Sequence, residues 1–432
     1  MRDPSMEQTA AGLSTTSGID AQLIASSRER QVIRALAQKV LELACRPEEE
    51  EKRKLWTNHN DLQKTRPLIF CDPENGWNEI VTQDQIQCSN PLLRVWEMAL
   101  RKEIFWGQTM KDDKVIEVFF YIPYNYTSTG YGLKEETLRT SDEGSCVWID
   151  KITDYEQDLP KLTFPDILID YEKTNRVVGF ANELLGDILT VKLRGVWWWS
   201  LGMTWDYIKY RKLEDFMIDI LMYPEWVHKF MDFLCKATHR KLDFLESSHL
   251  LSLNSGGAYV GSGGFGWTTQ LPRSDANPEK VKTMDMWGFA ESQETIGIDP
   301  DAYGEFIFPY EKTILERFGL NCYGCCEPID PRWHYVKQFP RLRRISVSPW
   351  ANIPKMSELL HDKYIMSIKP SPTPLSMRTI DKNAIRTELR QTLQQTKNCH
   401  VELIMKDNHT LGKNPMNAIN WCRIAKEEAM NL

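Results

Sequence analysis

An α/β chain folded as a single (β/α)8 barrel is the class this sequence predicts, and three observations lead there. From about residue 301 onward, candidate helices and strands alternate cleanly, which implies parallel pairing. At least seven candidate strands can be read along the chain, and closing them into a barrel is more economical than leaving an open, doubly wound sheet, the alternative. The length, 432 residues, suits one decorated barrel, which runs from about 200 to more than 400 residues.

The elements follow in order. Residues 1–28 carry Ser, Thr, Gly and Ala without periodicity and read as a disordered tail; 29–432 read as the barrel with a helical extension in front. Val32, Leu36, Val40 and Leu43 recur at helical spacing. The acids after Pro47 sit at the start of a second helix, where the helix dipole favours them. Arg66 to Asp72 reads as the first strand. Asn90-Pro91 is a good helix start, an N-cap followed by Pro, and that helix runs to about Trp106. Val115–Pro123 reads as a strand, 133–185 as an excursion over the barrel mouth, and Ile188–Arg194 as a strand before three consecutive tryptophans, Trp197–Trp199. Two long helical patterns, about 211–223 and 224–248, divide at Pro224, and Leu250–Asn254 is a short candidate strand. A helix over about 301–318 stops at Gly319, a good C′ residue. Strands at Leu320–Gly324, Arg344–Val347, Tyr364–Ile368 and His400–Met405 then alternate with helices near 334–339, 356–360, 385–396 and the C-terminus.

Composition bounds the function. With 42% apolar and 26% charged residues the chain is ordinary for a core-forming protein. A net charge of −7 argues against nucleic acid, which needs a basic footprint. No apolar run reaches the length of a membrane span and no signal peptide is visible, so the expected place is the cytoplasm, with no membrane partner. Ten cysteines in so long a chain are not a disulfide framework, which makes their clustering a question of metal or nucleophile.

In a parallel barrel, chemistry sits on the loops after the strands. Those loops carry Cys71, Asp72 and Glu74; Cys325, Cys326 and Glu327; Ser348; Lys369; and Lys406, Asp407, Asn408 and His409. Thiolate and imidazole are ligands of tetrahedral zinc, and catalytic zinc keeps one position open. Cys325, Cys326 and His409 are therefore candidate ligands. Adjacent cysteines rarely both reach one ion, so Glu327, Asp407 or Glu294 stands in reserve. Two other readings stay open: the cysteines as small buried hydrophobes, or one as a nucleophile with His409 as base. Glu291 and Glu294 are candidate acid–base carboxyls, against a reading as solvated loop. Gly261 to Gly266 fits G-x-G-x-x-G, but no helix start follows, so a loop over the pocket is expected instead of a nucleotide site.

The helix pair Asp215–Phe244 broken at Tyr223-Pro224-Glu225, the stretch from Asp299-Pro300-Asp301 through Phe308-Pro309-Tyr310 to Gly319, the turn Asn321–Pro328 and Lys406–Pro415 together resemble the uroporphyrinogen decarboxylase superfamily. The resemblance implies a distorted (β/α)8 TIM barrel. True decarboxylases of that superfamily grip substrate carboxylates with an arginine-bearing segment after the first strand. Here that position reads Phe70-Cys71-Asp72-Pro73-Glu74, without arginine, so the chain is more similar to the branch of zinc-dependent methyltransferases that work with corrinoid proteins. That branch carries His-x-Cys in the turn where this chain has Tyr323-Gly324-Cys325, and a distal cysteine where it has His409.

The resemblance thus implies an enzyme that demethylates a small methylated substrate, with an aromatic methyl ether suggested by the aromatic richness, and passes the methyl group to a corrinoid (cobalamin) on a partner protein. Zinc would be the Lewis acid, with Cys325, Cys326, Glu327 and His409 as the ligand set. Tyr323 would orient substrate, and Glu294 or Asp407 would relay a proton. A homodimer is a further assembly to test. The rival readings are a lyase that decarboxylates a small acid using His409 and Lys369, and a barrel that binds a ligand without catalysis.

Overall fold

The computed structural model describes residues 22–139 and 146–432. Most of the tail expected over 1–28 falls outside the described residues; the first helix begins at Ser27, where Ser26 and Glu29 form a reciprocal capping box. Asn90 caps its helix as expected, its side chain accepting from the Leu92 and Leu93 amides.

Eight parallel strands position the site: β1 (Leu68–Cys71), β2 (Phe119–Pro123), β3 (Thr190–Arg194), β4 (Trp287–Ala290), β5 (Leu320–Tyr323), β6 (Leu342–Val347), β7 (Ile365–Ile368) and β8 (His400–Met405). Six of them form one hydrogen-bonded parallel sheet in the order β1-β8-β7-β6-β5-β4, and β2 with β3 forms a separate parallel pair. The architecture is therefore α/β with a central six-stranded parallel sheet, and the expected closed (β/α)8 ladder is not formed among the described residues.

The physical reason lies at the two free edges. On β1, the Asp113 carboxylate accepts the Ile69 amide (2.8 Å), Asp112 accepts the Cys71 amide (3.0 Å), and the Asp113 amide donates to the Ile69 carbonyl (2.8 Å). Side chains thus satisfy backbone groups that a neighbouring strand would otherwise take. On β4, Asn254 does the same in both directions, donating to the Trp287 carbonyl and accepting its amide, each at 2.9 Å. The strand expected over Leu250–Asn254 is consequently irregular chain, and its last residue acts through its side chain.

The remaining departures also have local causes. The helix expected over 301–318 is two helices, Pro300–Phe306 and Phe308–Leu315, because Pro309 restarts the chain at N1/N2. The excursion over 133–185 includes the helix Tyr171–Leu185, an antiparallel pair of Thr137–Arg139 with Cys146–Trp148, and a strand, Ile167–Ile169, that pairs antiparallel with Tyr126–Ser128. Part of it, 140–145, lies outside the described residues.

The glycine-rich segment forms a small hairpin, Tyr259–Val260 paired with Gly264–Phe265, rather than a helix start. It packs onto residues of β5, β6 and β8: a Cβ at Gly261 would come within 2.9 Å of Cys322, one at Gly263 within 2.8 Å of Ile404, and one at Gly264 within 2.6 Å of the Arg344 guanidinium. Gly261 and Gly263 also hold positive φ, 70° and 116°, which glycine adopts without a Cβ penalty. Against the same hairpin, Arg344 pairs with Glu402 at 3.0 Å, and Glu402 meets His59 at 3.2 Å. Arg344 beside it holds the Glu402 carboxyl far below the usual range, against the opposing effect of burial.

Candidate active site at the strand ends

A cavity of about 440 Å³ opens where β1, β3, β4 and β8 end. Arg194, Trp197, Trp199, Phe289, Glu291 and Lys406 are among its walls. Trp199 meets Phe289 edge-on at 5.4 Å, and Trp197 sits 5.3 Å from Tyr124 and 4.9 Å from Tyr126. All three consecutive tryptophans line the cavity, and Trp198 also meets Phe318 at 6.0 Å.

Two wall residues, Glu74 and Lys406, belong to a chain of polar contacts that runs into the buried interior. Lys406, directly after β8, lies 3.8 Å from Glu74 and donates to the Ser262 hydroxyl at 3.2 Å. Ser262 in turn meets the Cys325 sulfur at 3.2 Å, and Cys325 lies 3.7 Å from the Cys326 sulfur. The strand ends that supply this wall are held in left-handed backbone, Glu74 at φ 51° and Asp407 at φ 61°, and the Asp407 amide donates to Glu74. Non-glycine residues in that region are strained, and such strain collects at functional sites.

Three carboxyl groups cluster after β4 and β5. Glu327 is fully buried and accepts the amides of Ser292 (3.0 Å) and Cys325 (2.9 Å), which fixes both loops. Glu294 accepts from the Thr204 hydroxyl at 2.7 Å. Glu291 accepts the Gln293 amide with one oxygen, and its other oxygen has no partner among the described residues. Burial raises all three. Glu291 goes well above the ordinary carboxylate range, with Glu294, Glu327 and Cys325 adding repulsion, and Glu294 is pushed up to about 7. Glu291 thus lies buried in the cavity wall with one oxygen unpartnered among the described residues, in surroundings that favour its protonated form. The thiols diverge: the Cys325–Cys326 contact raises the first and lowers the second.

The structure brings Cys325, Cys326, Glu327, Glu294 and Asp407 to this end of the sheet, but not all candidates meet. His409 is exposed, with its Nδ1 3.4 Å from Asn75. Both oxygens of Glu327 are taken by backbone amides. No group of three His, Cys, Asp or Glu side chains is arranged to hold a metal ion among the described residues, so the expected set of Cys325, Cys326, Glu327 and His409 does not fit a zinc centre. Tyr323 is wholly buried, accepting from Tyr303 and donating to Glu311, each at 2.8 Å, and it is not a cavity wall. Cys71 is buried too, a free thiol beside that of Cys422 in the last helix.

Sequence reasoning undervalued Glu291 beside Glu294, and it missed Arg194 and Ser262. The rule that strand ends carry chemistry points to Arg194, the last residue of β3. Ser262 has no such signal, because the hairpin that delivers it is not part of the sheet.

The class these features define is an α/β protein with a parallel sheet and a polar–aromatic cavity at its strand ends. No family model matches the chain, and no curated protein matches it. Among solved structures it is similar to a methyltransferase from Methanosarcina mazei, at 11% identity and a TM-score of 0.49, over 87% of this chain and 97% of that one. No helix is long and apolar enough to cross a membrane among the described residues.

Proposed function

We propose that this chain is a methyltransferase of the uroporphyrinogen decarboxylase superfamily, on its corrinoid-dependent branch, and that its eight strands are the distorted barrel of that fold. The cyclic order of β4 to β8 and β1, with β2 beside β3, supports the barrel. The observation that carries the activity is the buried carboxyl of Glu291 in the wall of an aromatic cavity, with one oxygen unpartnered among the described residues, beside the resemblance of the sequence.

The substrate class is a small aryl methyl ether, its ring between Trp197, Trp199 and Phe289. The methyl acceptor is a reduced corrinoid on a separate protein, a nucleophile strong enough to take a methyl group. As the methyl–oxygen bond breaks, both electrons stay on the oxygen, and Glu291 gives that oxygen its proton. Glu294, close to half-ionised at neutral pH, is the neighbouring group from which Glu291 is recharged. Lys406 and Arg194 steady negative charge as it develops.

The lyase alternative needs His409 and Lys369 in one pocket. His409 is exposed against Asn75, while Lys369 is buried and donates to Ser367, so they do not share the cavity.

The test mixes the protein with cob(I)alamin and methoxylated phenols and follows the absorbance of methylcobalamin. Methyl transfer that falls by at least about 100-fold in Glu291→Gln, the ordinary worth of a general acid, with substrate affinity within about threefold of wild type, is the expected result. Wild-type rates in that variant, or no transfer from any methylated phenol, would refute the reading.

A further inference from the structure

Successive side chains of a strand point to opposite faces, yet Cys325 and Cys326 bring their sulfurs to 3.7 Å. Gly324, at φ 92°, turns the chain out of β5 just before them, and the two thiols meet on one side of that turn. They differ in access: Cys325 is 5% exposed, and Cys326 is half-buried. Both pack in one apolar cluster with Trp199 and Phe289, walls of the cavity.

The Cys325 sulfur also meets the Ser262 hydroxyl at 3.2 Å, and Lys406 donates to that hydroxyl. Ser262 can therefore turn its own proton toward the sulfur, a bond that strengthens when the sulfur is a thiolate. The backbone of the turn is tied to the carboxyl cluster. The Ser346 hydroxyl donates to the Cys325 carbonyl at 3.2 Å. The Cys325 and Ser292 amides take one oxygen each of Glu327, at 2.9 and 3.0 Å. Ser292 directly follows Glu291, so a displacement of Cys325 is passed through one carboxylate to the loop that carries Glu291 and Glu294.

We propose that Cys325 and Cys326 are a reversible thiol-oxidation site, closed to a vicinal disulfide by exchange with a low-molecular-weight disulfide, and that closure loosens the loop 291–295. The Cys326 sulfur attacks one sulfur of the small disulfide, and the other half leaves as a thiol with the Cys326 proton. The Cys325 sulfur then attacks the Cys326 sulfur, and the second half leaves as a thiol with the Cys325 proton. Two protein thiols are oxidised and one small disulfide is reduced to two thiols. Adjacent Cα atoms are about 3.8 Å apart, less than the roughly 4.4–6.8 Å that ordinary disulfides span. The bond is accordingly easy to reduce, which suits a switch better than a structural link.

The test treats the full chain, without denaturant, with 2-hydroxyethyl disulfide and maps the peptides by mass after an acid quench. The peptide holding Cys325 and Cys326 should lose two hydrogens and carry no adduct, and dithiothreitol should restore it. Exposed Cys45 should carry the hydroxyethylthio group, which shows that exchange has taken place. In Cys326→Ser, Cys325 should stay unmodified. Hydrogen–deuterium exchange across 291–295 should be about tenfold faster in the oxidised chain, the worth of one backbone bond lost, with no such difference in Cys326→Ser or Cys325→Ser. Neither readout depends on methyl transfer. A pair that keeps both thiols while Cys45 is modified overturns the proposal, as does a stable mixed disulfide on Cys326 with Cys325 free. A disulfide that forms and leaves amide exchange across 291–295 unchanged overturns its coupling to the loop.

Discussion

Replacing Glu294 with Gln tests the electrostatics of the carboxyl cluster. The native carboxyl has its pKa raised from 4.5 to about 7, mainly by burial. A carboxyl raised on folding binds its proton more tightly in the folded chain, so its stabilising effect is complete below the unfolded value and disappears as pH rises through the folded one. A shift of that size corresponds to about 3 kcal/mol lost between roughly pH 4.5 and 8. Gln keeps the bond that Glu294 accepts from Thr204 and cannot ionise. Urea unfolding should therefore find the variant close to wild type at pH 5 and more stable by up to about 3 kcal/mol at pH 8. Asp112, also pushed up to about 7 by burial, keeps a residual slope in both proteins. Identical pH dependence in the two would mean that Glu294 is solvated, and the account of a proton-holding cluster would fall with it.

Other expectations follow from the same contacts. Asp113→Ala removes two contacts with Arg66, at 2.7 and 2.8 Å, and the acceptor of the Ile69 amide; the loss should be about 3–5 kcal/mol, read as a lower urea midpoint. Cys326, half-buried with its thiol pKa lowered by contact with Cys325, should be alkylated by iodoacetamide well before buried Cys325, whose pKa is raised; peptide mass mapping decides the order. Glu327→Ala leaves the buried amides of Ser292 and Cys325 without acceptors, at about 1–3 kcal/mol each, whereas Glu327→Gln, which satisfies one of them, should cost roughly half as much in the same urea assay.

Much of the fold was legible because strand–helix alternation is a local pattern. Seven of the eight parallel strands stand where the sequence placed them, and the helix break at Pro224 is observed. Strand β4 was not foreseen. Its Gly288 is required because a Cβ would collide with Phe318 and Asn321, and a glycine in a four-residue run hides a strand from propensity. Closure was not legible either, since it turns on whether Asp112, Asp113 and Asn254 take the edge bonds. At the site, position along the sheet could be read but orientation could not. Cys325 and Cys326 lie at the predicted end, yet Tyr323 faces Tyr303 and Glu311, and His409 sits outside the wall. Ser262, which accepts the bond from Lys406, comes from a hairpin whose glycines suggested only a loop.

The side chains that replace strand bonds on β1 and β4 also decide how much empty space the molecule holds. Laddered strands sit about 4.8 Å apart, and an eight-stranded barrel at that spacing is filled by its own inward side chains. A carboxylate or an amide that takes the backbone bonds of an edge strand holds the next stretch of chain farther off than that spacing at each of the two free edges. The glycine hairpin packs against β5, β6 and β8, and two cavities, of about 440 and 530 Å³, share Arg194 and Tyr259 as wall residues. A few polar residues at two edges thereby end the hydrogen-bonded sheet at six strands and leave open space beside it.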